Sequence, residues 1–586
     1  MCPSCWVVEK NRRATVHCAR TRLLTPAPAV ANSGGVDSTC VLFLIDRLIR
    51  DIREEHTTRS APVEAPENLP SELISMTVDH GLQDGSETVA KQCAERAEAR
   101  GIPHITTTVP WSTPPFPDRP RPGDAFEEIG RNVRYQLLFR AMRKAGADIL
   151  ALGHHSDDQV ETSLIRLARG TTELGAGGMR RCRRWGMGSN GPEHSLSWTG
   201  SEGMHKWMLR PLLEFPKDRL LATCEENNLE YVTDETNFQP QLTLRNAIRA
   251  LMAKNTFDPE ALGVDLPPNI LTSLKEIHRG VAALESVDMD LTGGPEDLRA
   301  AVTVLSEQVE DVDSLVDSAL TRCHLPSPPG TYLLSYRGIS TVRDPLVQRA
   351  LVLRIMRYVS FHPWGTVRAD GNRRRSSIER IIENLWTPDP FAKRLPPFVA
   401  GGGVFWTPVI FSTDHPLRIP SGAAVVGPGE IVAWLASRQP PLSRSNMSHV
   451  GLPNPLRVDA TERVRAALLR RDEEPAQVLH VLWDCRFEVK MFIDLIPDRL
   501  AERILDGRDK VMIHPNTRWY WPKVVHCNQE TGREEVLHSM LMRPDGHAKQ
   551  AMQLDFGMGA TWPWVRIPQI KADWIRLRWI RSASAL

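Results

Sequence analysis

No stretch of this 586-residue chain comes near the ~20 consecutive apolar residues that a membrane-spanning helix needs; the longest near the front is Val41 to Ile45. A bilayer-embedded bundle is excluded, and no membrane partner is expected. Also missing is any Gly-Lys pair, so the G-x-x-x-x-G-K-[ST] phosphate loop has nowhere to occur and a P-loop NTPase is ruled out. An excess of one charge is lacking too: 72 Lys plus Arg against 71 Asp plus Glu leave a net charge of +1. Any contact with nucleic acid must then use a local basic patch instead of a global field. The ten cysteines, from Cys2 to Cys527, lack the dense, even spacing of a secreted disulfide scaffold, which points to a reducing compartment. What is present is ordinary for a soluble globular chain, 41% hydrophobic and 24% charged. Against ~150 residues per domain, the length predicts more than one folding unit and a substantial core.

Residues 10–25 carry Lys10, Arg12, Arg13, Arg20 and Arg22 with no acid, the composition of a mitochondrial transit segment or of a solvated basic tail. Cys2-x-x-Cys5 with His17 and Cys18 offers four zinc-ligand side chains, although the second pair is adjacent where a zinc knuckle spaces it. From about 26 to 251, strand-like runs alternate with helical patterns, which predicts a parallel α/β sheet with crossover helices. Leu73–Val78, His104–Val109 and Asp148–Leu152 read as strands, and Glu87–Arg100 and Glu127–Lys144 as helices by their three- and four-residue apolar spacing. Pro110–Pro122 and Gly175–Gly203 read as linkers. A helical domain over about 265–415 and a mixed region over 416–586 complete the expected division, after a basic segment at 1–25.

The strongest local signal is Ser33-Gly34-Gly35-Val36-Asp37-Ser38 ahead of the apolar helix pattern Thr39 to Ile49. Paired glycines let the backbone turn tightly and aim free N–H groups outward at a helix N-terminus, where an anion such as pyrophosphate is favoured. The Ser33 and Ser38 hydroxyls can donate to phosphate oxygens, whereas Asp37 can assist only through a metal, so Mg²⁺ is implied. A plain Gly-Gly turn with a capped helix is the competing explanation. Gly186-x-Gly188-x-x-Gly191 satisfies the dinucleotide pattern, but no strand precedes it, so it reads as a decoy.

Two further polar segments close predicted strands: Asp79-His80-Gly81-Leu82 and His154-His155-Ser156-Asp157-Asp158-Gln159-Val160-Glu161-Thr162. Ligands of open α/β sheets bind outside the carboxyl ends of the strands, so the three segments are expected at one crevice. Helix capping, with Asp157 as N-cap, accounts for one acid of the second segment but not for the whole cluster.

In this order, and with Arg166-Leu-x-Arg169-Gly170, Arg210-Pro-Leu-Leu213, Asp234-Glu-Thr236-Asn237 and Arg245-Asn246-x-Ile248-Arg249 following, the sequence resembles the tRNA(Ile)-lysidine synthase family of ATP pyrophosphatases. The likeness covers about 30–250 closely and 265–415 loosely. It implies a Rossmann-like parallel sheet of the adenine-nucleotide α-hydrolase type with a PP-loop, followed by a helical domain and a mixed C-terminal region. With the basic N-terminal segment it suggests a fungal or other organellar member acting in mitochondria. One departure stands out: Pro26 and Pro28 precede the loop, and proline is poorly placed in a central strand, which puts that first strand in doubt.

The resemblance implies a carbon–nitrogen ligase that joins L-lysine to C2 of the wobble cytidine of a CAU-anticodon tRNA(Ile), using ATP and releasing AMP and pyrophosphate. It implies nucleotide contacts at Ser33, Gly34, Gly35, Val36, Asp37, Ser38, Asp79 and His80, with the metal on Asp37. The cytosine C2 oxygen is a poor leaving group until adenylated, and the lysine amine, with a pKa of about 10.4, must lose a proton at the site. Asp37, Asp158, Glu161 and His155 are the expected catalytic residues, with His154 or His155 lining the crevice and one of the two a satisfied core histidine.

For RNA, Arg131 and Arg134 share a helix face, as do Arg166 and Arg169, and Arg245 and Arg249 are further candidates. Arg180, Arg181, Arg183 and Arg184 form a linker cluster; Arg373 to Arg375 and the Trp519 and Trp521 region are weaker candidates. A solvated basic face, or core packing for the tryptophans, is the alternative in each case. A tRNA thiolase is the nearest rival, but it calls for a Cys-x-x-Cys pair in the ATPase domain, which holds isolated Cys40, Cys93, Cys182 and Cys224. A degenerate tRNA-binding protein without turnover is the non-enzymatic rival. Whether the chain is a homodimer is left open.

Overall fold

The computed structural model describes residues 27–58, 70, 72–83, 85–121, 126–187, 199, 202–233, 238–362, 375–387, 396–413, 417–419, 426–441, 456–473, 476–516, 518–542, 565–570 and 572–581. The basic segment at 10–25, Cys2, Cys5, His17, Cys18, Asp234 to Asn237, Arg373 and Arg374 lie outside the described residues. Two compact units emerge: one takes residues up to Trp185 with His205–Asp311, the other Gly186–Met204 with Val312 onward.

In the first unit, strands and helices alternate: β1 Ala29–Ala31, α1 Val36–Thr58, β2 Ile74–Asp79, α2 Ser86–Glu98, β3 His104–Thr108, α3 Phe126–Lys144, β4 Ile149–Ala151 and α4 Ser156–Ala168. After these come α5 Glu173–Ala176, β5 Cys182–Arg184, β6 Trp207–Leu209, α6 Lys217–Glu226, α7 Leu244–Ala253, α8 Pro268–Ala282 and the start of α9 Gly294–Cys323, whose residues from Val312 on are counted with the second unit. The sheet order is β3-β2-β1-β4-β6-β5, parallel throughout except for β5. Strand order reverses between β1 and β4, and a crevice opens at such a switch point.

The doubtful first strand is the middle of this sheet: Val30 pairs with Ser75 on one side and Ala151 on the other. Pro28 is tolerated because the sheet uses only its carbonyl, which accepts from Ile74 N at 3.0 Å, and the strand itself begins one residue later, at Ala29. The segment read as a linker after Gly175 also departs from expectation. It contributes α5 and the edge strand β5, whose Arg183 pairs with Met208 of β6.

Val30, Val36, Val41, Ala151 and Leu220 pack α1 and α6 against one face of the sheet, and Val109, Phe116, Val133 and Leu137 pack α3 on the other. A second core joins Val160 and Leu164 of α4 to Ile248 and Leu251 of α7, Ile270 and Leu274 of α8, and Leu298, Val302 and Leu305 of α9. The three- and four-residue spacing of these side chains gives each helix one apolar stripe and so fixes its rotation.

The second unit contains a five-stranded sheet in the order β7 (His324–Leu325), β8 (Tyr332–Ser335), β11 (Ile431–Arg438), β10 (Val404–Phe411), β9 (Phe398–Ala400), a second in the order β12 (Val458–Asp459), β15 (Asp509–Asn516), β16 (Trp521–Asn528), β17 (Glu534–Met542), β18 (Val565–Ile570), and a three-stranded sheet of β13 (Val478–Trp483), β14 (Phe487–Phe492) and β19 (Ile575–Trp579). Its strands run from β7 His324–Leu325 to β19 Ile575–Trp579, with helices at Pro345–Val359, Arg375–Leu385, Thr461–Leu468 and Asp498–Leu505. Trp483, Trp519, Trp521, Trp574 and Trp579 lie in its core, so the two tryptophans weighed above as base-stacking candidates pack against protein.

Candidate nucleotide and acid site

The crevice is built first by backbone. Leaving β1, the chain turns at Gly34, whose φ of +79° is left-handed and suits glycine. Asn32 Oδ1 accepts from Gly34 N at 3.0 Å, Ser38 Oγ accepts from Ser33 N at 3.1 Å, and Gly34 O accepts from Val232 N at 2.8 Å. The loop is thus pinned from three sides. Helical bonding in α1 starts only at Thr39, which donates to Gly35 O at 3.0 Å. The first turn of an α-helix leaves its N–H groups without helical acceptors, and here those belong to Val36, Asp37 and Ser38. Ser33 is exposed, as a phosphate donor must be; Ser38 is buried and its hydroxyl donates to Gly35 O at 3.0 Å, so it shapes the loop.

The exit of β4 touches this turn. A Cβ on Gly153 would lie 2.6 Å from the carbonyl carbon and oxygen of Asp37 and 2.9 Å from Ser38 N. Only glycine lets the exit of β4 close on the first turn of α1. Neither Gly153 nor Asn32 stood out in the sequence, since neither follows a periodicity nor carries a reactive group.

After Gly153 the chain enters α4 with His155, not Asp157, as N-cap; Asp158 Oδ2 accepts from His155 N at 3.1 Å. The His155 side chain is almost fully enclosed and meets three carboxylates: Nε2 lies 3.7 Å from Asp37 Oδ1 and 3.5 Å from Asp158 Oδ2, and Nδ1 3.6 Å from Asp157 Oδ2. Asp37, Asp158 and His155 are therefore brought together as the sequence anticipated. Burial pushes the Asp37 carboxyl above its ordinary range against the opposing pull of His155 and Lys217. Burial acts on Asp158 in the same sense, but His155, His154 and Arg245 outweigh it and hold that carboxyl low.

Glu161 is differently placed. Its oxygens accept from Arg245 Nη1 at 2.7 Å and Arg249 Nε at 2.9 Å, and 1% of its side chain is exposed. Two residues expected at RNA and one expected at the lysine amine thus form a triad, brought together by the packing of α4 against α7. The same guanidiniums reach Asp158 at 3.7 and 4.0 Å.

At the end of β2, Asp79 Oδ1 accepts from Gly81 N at 3.0 Å and the His80 carbonyl accepts from Trp111 Nε1 at 2.8 Å. Burial, helped by Arg134, lowers His80 to about 4; burial, helped by Arg210, lowers His154 to about 3. Both are neutral near pH 7. The ordinary histidine value is 6.5, so on acidification the unfolded chain binds protons before the folded one. The stabilisation is complete above that value and is lost as pH falls through it toward 4. Thermal melts should show a falling Tm over that window, and a His154→Asn variant should show a flatter slope.

Of the expected RNA contacts, Arg131 and Arg134 are exposed on α3, with guanidinium carbons 5.6 and 5.8 Å from the Tyr135 ring centre. Burial alone would raise the Tyr135 phenol, but Arg131, Arg210, Arg134 and Arg183 together bring it down to about 8. Arg169 is exposed at the end of α4. Arg166 instead donates to the carbonyls of Gly175 and Gly178. In the former linker cluster, Arg181 pairs with Glu214 and Glu310, and Arg184 lies over Trp207 at 4.4 Å. Arg375 pairs with Glu379 at 2.7 Å.

Residues 14–256 match the PP-loop domain family. A tRNA(Ile)-lysidine synthase from Methylobacterium nodulans is 27% identical over 375 residues, 64% of this chain and 83% of that one. A second, from Rhodopseudomonas palustris, is 31% identical over 284 residues, 48% of this chain and 67% of that one. The chain belongs to the tRNA(Ile)-lysidine synthase family. Membership places it among ATP-using PP-loop enzymes of tRNA modification. A lysidine synthase from Bacillus subtilis reaches 41% identity, over 123 residues that make up 21% of this chain. These relatives of the lysidine synthase chain are bacterial, and the expected fungal or organellar origin finds no support in them. Among the described residues, no helix is long and apolar enough to cross a membrane.

Proposed function

We propose that this chain joins L-lysine to C2 of the wobble cytidine of tRNA(Ile) with a CAU anticodon, through an adenylated cytidine, releasing AMP and pyrophosphate. The observation that carries the reading is the meeting of a glycine-turned helix N-terminus with Asp37, His155 and Asp158 at the β1/β4 switch point. The loop N–H groups and Ser33 hold the ATP phosphates in line with the cytidine C2 oxygen, where positioning and fixed dipoles lower the barrier. Mg²⁺ fits beside Asp37, whose Oδ1 is buried without a hydrogen-bond partner among the described residues, as a carboxylate awaiting a cation would be. When bound, the ion would neutralise phosphate charge.

Adenylation converts the C2 oxygen into a phosphate leaving group; the lysine amine then forms the C–N bond as the C–O bond breaks and AMP departs. Asp158, held ionised, receives the lysine ammonium, and His155 against it shares the proton that the amine sheds. Glu161, with both oxygens engaged, holds Arg245 and Arg249 in place. In this reading residues 26–251 are catalytic, 265–415 contact tRNA, 416–586 have a role yet to be assigned, and the basic segment at 1–25 directs the protein to mitochondria.

Among the described residues, the cysteines of the ATPase domain do not favour thiolation; Cys182 is half-buried and has no second cysteine beside it in a Cys-x-x-Cys pair. Cys40, Cys93 and Cys224 are buried, and burial pushes the Cys40 thiol up to about 12, far from a reactive thiolate. The test is AMP and pyrophosphate release from Mg²⁺-ATP in reactions lacking each substrate in turn. AMP release requiring both tRNA and lysine, with pyrophosphate release requiring tRNA and limited to a single turnover when lysine is left out, supports the ligase; tRNA binding with no release in any combination supports a binding module. If Arg131, Arg134 and Arg169 meet phosphates, tRNA affinity should fall by roughly tenfold or more between 50 and 200 mM salt, with a shallower slope once Arg131 and Arg134 are replaced. Filter binding across that range checks it, and a salt-insensitive constant would contradict the basic-patch assignment.

A further inference from the structure

Asp157 is the one acid of the α4 entry that the proposed reaction leaves without a part, yet it is bonded on every side. Its Oδ1 accepts from Arg299 Nη1 at 2.8 Å, and its Oδ2 accepts from Lys217 N, the first residue of α6, at 3.1 Å. The same Oδ2 lies 3.6 Å from Nδ1 of His155, the ring whose Nε2 faces Asp37 and Asp158. A side chain 142 residues away in sequence is thus two contacts from the nucleotide crevice.

We propose that Arg299 is a positioning residue for the nucleotide site, acting through Asp157 to set the His155 ring between Asp37 and Asp158. The inference rests on reading the crevice as an Mg²⁺-ATP site.

The physical argument has three parts. Arg299 sits in the first turns of α9 between Leu298 and Val302, both buried in the helical core, so its backbone has a fixed origin. Its partner is only 18% exposed, so their charge-assisted bond is partly shielded from water and holds one carboxylate rotamer. Finally, three carboxylates around one enclosed imidazole form an excess of like charge. Arg245 and Arg249 offset it at Asp158, while Arg299 and the N-terminus of α6 offset it at Asp157. Without Arg299, Asp157 is free to rotate away from Lys217 N and His155, and the imidazole loses the contact that orients it.

A double-mutant cycle on Mg²⁺-ATP binding, measured by calorimetry with tRNA and lysine absent, tests this. Arg299→Ala and Asp157→Ala should each weaken binding by about tenfold, the range typical for groups that orient a metal-site ligand. The double variant should be no weaker than either single one, because both remove the same link. Arg299→Lys, which keeps the charge, should recover most of the affinity, and Arg299→Gln should not. A merely structural role would lower Tm without this non-additivity. Losses that multiply in the double variant, or an Arg299→Ala protein that binds as the wild type does, would overturn the proposal while leaving the ATP site standing. A wild-type chain that binds no Mg²⁺-ATP would overturn the reading of the crevice and this inference with it.

Discussion

Replacing Asp37 by alanine is expected to cut ATP-dependent AMP release by on the order of 10³-fold, while tRNA binding stays within about twofold of wild type. Asp37 is the first-turn acid of α1, beside the loop N–H groups proposed to hold the phosphates, and its Oδ1 is buried with no hydrogen bond among the described residues, His155 Nε2 lying 3.7 Å away. Alanine removes the group that fits the cation without disturbing Asn32, Ser38 and Val232, which hold the loop. Asp158→Ala should cost as much turnover by another route. It removes the carboxylate proposed to receive the lysine amine, and with it the acceptor for His155 N. Single-turnover assays separate the two: Asp37→Ala should fail at adenylation, and Asp158→Ala at transfer to lysine. Normal turnover in both variants would remove these acids from the reaction.

Gly153→Ala should lower turnover by roughly 10²-fold, although it adds only one methyl group. The added carbon would meet backbone, with the Asp37 carbonyl at 2.6 Å and Ser38 N at 2.9 Å, and backbone cannot swing aside as a side chain can. Relief requires a shift of about 1 Å in either the first turn of α1 or the end of β4, which displaces the loop relative to His155. The accompanying overpacking should destabilise the fold by ~1–3 kcal/mol. Gly130→Ala is the matched control. A Cβ there meets nothing within 4 Å on the α3 helix, and alanine is the better helix former, so stability should hold or rise slightly with activity unchanged. Steady-state rates and melts of the two variants decide the matter.

What could be read from the sequence follows from where each kind of information resides. Apolar spacing marks helices locally, so the patterns at Glu87–Arg100 and Glu127–Lys144 correspond to Ser86–Glu98 and Phe126–Lys144. The convergence of the loop, Asp79-His80 and His154-His155 was legible because strand ends in a parallel sheet share one edge. Partnerships were not. That Glu161 spends both oxygens on Arg245 and Arg249 depends on the packing of α4 against α7, and that Asp157 answers to Arg299 depends on α9, neither visible in local spacing. Proline propensity misled for the opposite reason: it describes an N–H that the sheet does not ask of Pro28. The Gly175–Gly203 composition hid β5, an edge strand of three residues too short to form a pattern.

The central claim is that this crevice makes a bond between lysine and a tRNA base. The most direct measurement incubates the purified chain with Mg²⁺-ATP, radiolabelled lysine and unmodified tRNA(Ile) bearing a CAU anticodon, and scores label in acid-precipitable RNA. The account predicts ATP-dependent incorporation into that tRNA, none into one whose wobble cytidine is replaced by uridine, and none with Asp37→Ala. Absence of label in the RNA while the chain binds both ATP and the tRNA would contradict it.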